Sequence, residues 1–237
     1  NNSKAIGKVE GGLDKMIIDL STCERLIPLY SSEFEANKSN AAWLKSSVSR
    51  MYKKECTEDP LYDQLVEAYV AAEPSPEASV FYAGILLKNN QFDKAKGYFE
   101  QAVAQETDVF KRAGYLYKIA QIMKKKGRKS EARSYAYKAI QNKRSMGEAY
   151  LLIASLYASS ANSCGNSEFE KKMVYVAALN LANKAANVDP AHRRIAGKYS
   201  KSYQSSVPSK KLIFTEGLTS GDPFRIGCWI GETVKIP

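Results

Sequence analysis

The residues of this chain with the greatest capacity for chemistry are its four cysteines, Cys23, Cys56, Cys164 and Cys228. Structural zinc sites use close pairs of cysteines, often with histidines, whereas these cysteines are widely separated and the only histidine is His192. We therefore predict no metal site. Two alternatives stay open for the thiols: they are free and buried, or they form two disulfides.

The other candidates for catalysis lack the arrangement that catalysis needs. His192 follows Asp189-Pro190-Ala191 at a predicted helix start in polar surroundings, which is typical of a surface histidine. Glu168 and Glu170 stand two residues apart, so on a helix they face different directions. The sequence has neither a glycine-rich phosphate loop nor a serine in a nucleophile elbow. We expect no catalytic residue, no cofactor and no enzymatic activity.

The charge balance narrows the choice of partner. The chain has 35 basic and 25 acidic residues, a formal net charge of +10, and an ordinary 44% of hydrophobic residues. This charge favours anionic partners, although solubility alone would also explain it. The densest basic run, residues 124–129, falls at a predicted turn between helices, where a solvated turn is the simpler interpretation.

Two features of the sequence concern membranes and export. No apolar run approaches the roughly 20 residues of a membrane span, so we expect membrane association to be peripheral at most. The start, Asn1-Asn2-Ser3, has no basic head followed by an apolar stretch. Either a targeting peptide has been removed or the sequence begins downstream of one.

One pattern of small and large residues occurs twice between Ser79 and Ala139. Matched positions lie 37 residues apart, as do Ala83 and Ala120. A fixed period in this range marks stacked helical hairpins, in which alanines let two antiparallel helices approach closely. The order of residues resembles the tetratricopeptide repeat (TPR), a helix-turn-helix unit. The resemblance implies an all-α fold, a TPR-like α-solenoid of antiparallel helical hairpins.

This period divides the chain into three predicted regions. Residues 1–75 form divergent N-terminal helical hairpins, residues 76–206 form three TPR-like repeats with an insertion near 159–170, and residues 207–237 form a C-terminal helix and β-hairpin cap. In the first region we predict a helix tail at 11–20, a helix capped by Ser21 or Thr22 that ends near Phe34, a helix capped by Ser39, and a helix that starts at Asp59-Pro60. The repeat helices are predicted at 77–88, 92–105, 110–126 and 130–142, with the third hairpin opening near Met146. One more helix is predicted from Pro190 to about Ser205.

Two segments depart from the helical pattern. The small polar residues 159–167 predict a loop that lengthens the turn of the third hairpin. Alternation in residues 224–230 and 233–236, around a turn at Gly231-Glu232, predicts two paired strands. An isolated β-hairpin is marginal in water, so we expect this one to pack on the helices.

Beyond its repeats, nearly the whole chain resembles a group of cell-envelope TPR proteins of the Bacteroidota. The resemblance is carried by Cys23-Glu24-Arg25-Leu26-Ile27 and Lys54-Glu55-Cys56-Thr57 in the front hairpin, by Leu156-Tyr157-Ala158-Ser159-Ser160 and Ser163-Cys164-Gly165 at the insertion, and by Gly227-Cys228-Trp229-Ile230 and Glu232-Thr233 near the end. It implies export from the cytoplasm and a scaffold or binding role, and it implies no reaction.

If the thiols are oxidised, the predicted organisation favours particular partners. The front hairpin places the start of its first helix beside the end of its second, where Cys23 and Cys56 lie. Cys164 with Cys228 then follows by elimination, and because the insertion and the strand hairpin each lack another anchor. Two disulfides would imply an oxidising compartment, the periplasm or the outer-membrane-associated envelope.

In TPR domains that this chain resembles, the first helix of each hairpin lines a concave groove that accepts a peptide or a partner helix. The matching positions are Val80, Gly84, Leu87 and Lys88 in the first repeat, Tyr117, Gln121, Lys124 and Lys125 in the second, and Leu151, Ser155 and Ala158 in the third. Some TPR domains clamp a terminal carboxylate with lysine and asparagine at positions held here by Tyr117 and Gln121, so that mode is not expected. The alternative is that Tyr117 and Leu87 pack against a neighbouring helix.

These features together predict a non-enzymatic TPR scaffold of the bacterial cell envelope that binds a protein or peptide, with lysines steering acidic partners. The alternatives are a basic module that binds an acidic envelope polymer or membrane surface, and a non-catalytic subunit of an envelope complex. Nucleic-acid binding is not expected, because the tyrosines sit at helical packing spacing rather than along a basic stripe. The sequence does not determine the oligomeric state.

Overall fold

The computed structural model of the protein describes residues 22–237, so the predicted helix tail at 11–20 and the cap at Ser21 lie outside the described residues. The described chain is 73% helical. Its helices are α1 (Cys23–Asn37), α2 (Ala41–Lys53), α3 (Pro60–Ala72), α4 (Pro76–Lys88), α5 (Phe92–Gln105), α6 (Val109–Lys125), α7 (Lys129–Asn142), α8 (Gly147–Ala158), α9 (Ala161–Cys164), α10 (Glu168–Val188), α11 (Arg193–Gln204) and α12 (Lys210–Thr215). Strands β1 (Pro223–Arg225) and β2 (Thr233–Lys235) follow.

The chain forms two compact units, one ending at Gln105 and one beginning at Glu106. Both are built from antiparallel helical hairpins, and the predicted fold class is confirmed. The predicted region boundaries at residues 75 and 206 stay a prediction. No helix in the described part of the chain is both long enough and apolar enough to cross a membrane.

The first unit contains α1 to α5. Asp59 and Ser75 cap α3 and α4 by accepting hydrogen bonds from backbone N–H groups, each just before a proline at the start of the helix. Helix α2 is capped by Asn40, whose side chain accepts from the N–H of Trp43. The prediction of Ser39 as this cap was therefore wrong by one residue. The fully buried side chains of this unit include Leu44, Val48, Met51, Leu65, Val66 and Tyr69.

The repeat pattern defines hairpin packing in both units. Ala83 of α4 and Ala95 of α5 are completely buried, as are Ala120 of α6 and Ala132 of α7. These pairs occupy the matched positions of the two repeats. Because the small side chains lie where the helices meet, each pair of helices packs closely, as the period predicts.

The insertion is more ordered than the predicted loop. Its middle forms the short helix α9, and Ser160, which is completely buried, donates its hydroxyl to the carbonyl of Leu156 at 2.8 Å and accepts from Lys129 Nζ at 2.8 Å. A capping box between Ser167 and Glu170 then starts α10. The loop prediction failed at α9 because it rested on composition, whereas these hydrogen bonds link the segment to the preceding helices.

The two strands pair antiparallel, with Phe224 opposite Val234. The Phe224 ring contacts the Phe169 ring of α10 at a centroid distance of 5.3 Å, so the hairpin packs on a helix as expected. The first strand ends at Arg225 rather than near 230. Beyond it the chain turns inward, and Cys228 adopts a positive φ of 50°. A strand continuing through that position is therefore excluded.

Candidate functional site

A groove of about 350 Å³ lies in the second unit, where α8 lies between α6 and α11. It is lined by Tyr117, Gln121 and Lys124 of α6, by Glu148, Leu151, Leu152 and Ser155 of α8, and by His192, Ile195 and Tyr199 at and beyond the start of α11. We call it the α6–α8–α11 groove. Lys124 Nζ donates to Ser155 Oγ at 2.8 Å, and Tyr117 lies close enough to Glu148 for that charge to affect its pKa. In each pair the two residues are 31 positions apart in the sequence, so α6 and α8 run in the same direction.

One end of the groove is basic. Lys124 is exposed and donates to Ser155, whose hydroxyl in turn donates to the carbonyl of Leu152 at 2.7 Å. Partial desolvation lowers the pKa of the Lys124 ammonium, and no carboxylate among the described residues offsets that effect. Because no carboxylate among residues 22–237 is paired with this ammonium, it can bind an anionic group of a ligand.

The opposite end is acidic. His192 Nε2 lies 3.2 Å from a Glu148 carboxylate oxygen, and His192 Nδ1 lies 2.7 Å from Asp189 Oδ2. Asp189 also accepts from the backbone N–H groups of Gly147 and Ala191, both at 3.1 Å. Burial alone would raise the pKa of the Asp189 carboxyl, but the hydrogen bonds from His192 and the two backbone groups lower it below its usual range. Asp189 thus fixes both the start of α8 and the imidazole at this end.

An apolar wall joins the two ends. Ile195 and Tyr199 lie one turn apart on α11, with 44% and 38% of their surfaces exposed. Across the groove Tyr117 is half-buried, and burial, together with the charge of Glu148, raises the pKa of its hydroxyl. Exposed large side chains on facing helices can bury apolar surface when a ligand lies between them.

The structure brings five predicted groove residues together in this lining: Tyr117, Gln121, Lys124, Leu151 and Ser155. Lys125 and Ala158 are not among the lining residues. Val80, Gly84, Leu87 and Lys88 lie on α4 in the first unit, where Lys88 Nζ donates to the carbonyl of Thr57 at 2.9 Å and pairs with Glu58 at 3.2 Å. The assignment of all these residues to partner binding stays a prediction.

The sequence analysis missed Glu148, Leu152, His192, Ile195 and Tyr199 as lining residues. The 37-residue repeat period gave no signal for them, because residues that meet between α6 and α8, such as Lys124 and Ser155, lie 31 residues apart. His192 was interpreted as a surface histidine. It is partly exposed, but it stands in the groove wall between two carboxylates.

A second polar cluster holds the C-terminal segment against the repeats. A carboxylate oxygen of Glu232 accepts hydrogen bonds from the hydroxyls of Tyr137, at 2.8 Å, and Tyr157. The Arg133 guanidinium donates to the carbonyl of Ile230 at 2.5 Å and lies 5.2 Å from the centre of the Trp229 ring. Burial and the bond to Glu232 raise the pKa of Tyr137 to about 12, and burial also raises the pKa of Tyr157.

The cysteines form two pairs at disulfide distance. The Cα atoms of Cys23 and Cys56 are 5.6 Å apart, and those of Cys164 and Cys228 are 5.3 Å apart. The second pair joins the insertion to the C-terminal segment, next to the Glu232 cluster. No group of three or more metal-ligating side chains occurs among residues 22–237.

Comparison with solved structures identifies the fold. The crystal structure of YrrB, described as a TPR protein with an unusual peptide-binding site, covers 84% of this chain and 97% of its own, with a TM-score of 0.57 and 17% identity. A crystal structure of the MamA protein covers 68% of this chain and 80% of its own, with a TM-score of 0.54 and 20% identity. No family model and no curated protein matches the sequence. At such identities the likeness shows the fold alone, which is that of TPR proteins.

Proposed function

We propose that this chain is a non-enzymatic TPR scaffold of the bacterial cell envelope, which binds a segment of a partner protein in the α6–α8–α11 groove. The observation that carries the proposal is the lining of this groove. Exposed apolar side chains, Ile195 and Tyr199, stand between the Lys124 ammonium at one end and a carboxylate cluster at the other. YrrB, which has the same fold, is described as having a peptide-binding site, and that supports a peptide ligand here.

Affinity would come mainly from the apolar wall. Each Å² of apolar surface removed from water contributes about 25 cal/mol, so covering the exposed parts of two large side chains contributes on the order of 1 to 3 kcal/mol. Hydrogen bonds to the polar ends would add register and direction more than affinity. A groove of this kind suits a moderate, selective interaction.

The polar groups of the groove support binding rather than catalysis. Ser155 and Lys124 are hydrogen-bonded, but the serine hydroxyl donates to the helical carbonyl of Leu152, so its proton is not directed at the amine. Both ring nitrogens of His192 lie against carboxylate oxygens, of Glu148 and Asp189, and not against a nucleophile. A nucleophile and base need a direct hydrogen bond with the proton between them.

Peptide selection tests the proposed groove. Peptides selected from a random display library against the protein should lose at least about tenfold in affinity for the Ile195→Asp variant, because a carboxylate in the apolar wall must be desolvated on binding. Phe214→Asp is the matched control, since Phe214 is 86% exposed and lies outside the groove lining. Selected peptides that bind Ile195→Asp as well as the wild type would contradict the proposal.

The envelope location rests on the two cysteine pairs, because stable disulfides form in oxidising compartments. Mass measurement with and without thiol alkylation, on unreduced protein from its native source, tests it. Linked peptides joining Cys23 to Cys56 and Cys164 to Cys228 are the expected result. Four alkylatable thiols would place the protein in a reducing compartment and remove this support.

The net charge of +10 favours a second candidate, a basic module that binds an acidic envelope polymer or a membrane surface. Such binding depends on counterion release and charge, so it should collapse at moderate salt and show no peptide selectivity. Groove binding through apolar contacts should survive the same salt. Co-purification of a stable catalytic partner would instead identify the chain as a non-catalytic subunit.

A further inference from the structure

The two ends of the α6–α8–α11 groove carry opposite charge. Among its lining residues, Lys124 is the only lysine or arginine and Glu148 is the only carboxylate. Asp189 lies behind Glu148, on the other side of the His192 imidazole. Two carboxylates flank one imidazole, so this end is net negative whether the ring is neutral or protonated.

The helices set the spacing of these charges. Lys124 Nζ lies 2.8 Å from Ser155 Oγ of α8, and Glu148 lies seven residues before Ser155 on the same helix. Seven residues of α8 span about 10 Å at 1.5 Å per residue. An extended peptide rises about 3.3 Å per residue, so it crosses this distance in about three residues.

The middle of the groove determines which ligand residues fit between its two charged ends. Ile195 and Tyr199 expose apolar surface toward the same space, opposite Tyr117. A ligand segment that places two apolar side chains there would cover this surface. A charged side chain in the same place would lose hydration without a partner.

We infer that the groove recognises an extended segment of the type acidic residue, two apolar residues, basic residue, with the acidic side chain on Lys124 and the basic side chain on Glu148. This inference rests on the proposed function, and it names the ligand class of the proposed site. Charge complementarity at the two ends would fix the direction in which the segment lies. Recognition would therefore depend on the order of charges and not on the overall charge of the protein.

Four capped hexapeptides test this ligand class. They share a Leu-Phe centre and serine ends, and the flanking positions are Glu and Lys, Glu and Glu, Lys and Lys, or Gln and Gln. His192 is the only histidine in the chain, so its Hε1 NMR signal is a single, assigned reporter inside the groove. We expect the Glu and Lys peptide to bind most tightly, with each mismatched charge weakening binding roughly two- to fivefold, the range for exposed ion pairs.

Charge exchange in the protein provides the decisive comparison. Lys124→Glu and Glu148→Lys should each weaken the Glu and Lys peptide, and the double variant should restore its affinity, because the peptide can then lie in the reverse direction. A spin label on one end of the peptide should broaden the His192 signal differently in the wild type and the double variant. Phe214→Asp should leave all affinities unchanged.

Other outcomes would overturn the inference, and they separate it from the proposed function. If the Glu and Glu peptide binds most tightly, overall positive charge decides recognition. If all four peptides bind equally but lose affinity for Ile195→Asp, the groove binds peptides without charge order, so the proposed function stands and the inference is wrong. If none of them binds while display-selected peptides bind through Ile195, the ligand class is wrong. If no selected peptide binds through Ile195 either, the proposed function fails as well.

Discussion

Replacing Glu232 by alanine should weaken the attachment of the C-terminal segment to the repeats. The carboxylate accepts from both Tyr137 and Tyr157, and hydrogen bonds to charged groups contribute about 1.5 to 3 kcal/mol each. The cluster borders a cavity lined in part by Tyr137 and Glu232, so water can replace part of the lost bonding. We therefore expect a loss of about 3 kcal/mol in the free energy of unfolding of the second unit, which is the lower value of about 1.5 kcal/mol for each of the two hydrogen bonds.

Tryptophan fluorescence can follow this change locally. The chain has two tryptophans, so a Trp43→Phe background leaves Trp229 as the only one. The Trp229 ring lies 5.5 Å from the ring of Tyr157, and its emission should change when the segment detaches. Urea titration in this background should show an earlier transition for Glu232→Ala. Glu216→Ala, which changes an exposed glutamate, should stay within about 0.5 kcal/mol of the background protein.

A double-mutant cycle shows whether the hydrogen bonds are the cause. In a protein that already carries Tyr137→Phe and Tyr157→Phe, the two donors are absent, so Glu232→Ala should cost less than about 1 kcal/mol. If it still costs about 3 kcal/mol there, the stabilisation does not come from these bonds, and our reasoning about the cluster is wrong.

Three further changes should have measurable effects. The pKa of Tyr137 is raised to about 12 from an unfolded value of about 10. Its contribution to the stability of the fold is therefore complete below about pH 10 and is lost as pH rises through about 12. Urea titrations between these pH values should show a smaller decline in the free energy of unfolding for Tyr137→Phe than for the wild type. Gly147→Ala should lower the melting temperature, because an added Cβ would lie 2.7 Å from the Cβ of Asp189. Gly197→Ala is the control: a Cβ there would have no neighbouring atom within 4 Å, and alanine favours the helix over glycine, so the melting temperature should rise slightly. Replacing both Cys164 and Cys228 by serine should cost about 3 to 4 kcal/mol in the same urea titration if their 64-residue separation is closed by a disulfide, and an unchanged midpoint would contradict such a bridge.

The repeats could be predicted because they depend on local rules. Alanines at matched positions such as Ala83 and Ala120 permit close helix packing, and both are completely buried as that rule requires. Prolines and capping residues likewise act within one turn, so the start of α3 at Pro60 followed from the sequence. The Ser39 cap was missed by one residue because both Ser39 and Asn40 are good caps, and only the chain geometry chooses between them.

The insertion and the first strand were predicted less well, because distant contacts override their local pattern. Residues 226–230 alternate as a strand does, yet the chain turns inward there and Cys228 takes a positive φ beside Cys164. The short helix α9 follows a serine that is buried among the preceding helices. Neither constraint is visible in the segment's own composition.

The sequence by itself determined the helical hairpins of the repeats, since these follow from side-chain size at fixed spacing. Only the tertiary structure decided which residues share a site. His192 and Glu148 are far apart in sequence, and their contact exists because Asp189 holds the start of α8 against the turn that precedes α11. Glu232 likewise meets Tyr137 and Tyr157 only after the C-terminal segment folds back on the repeats. Such contacts arise from packing between distant segments, which no local pattern of residue types specifies.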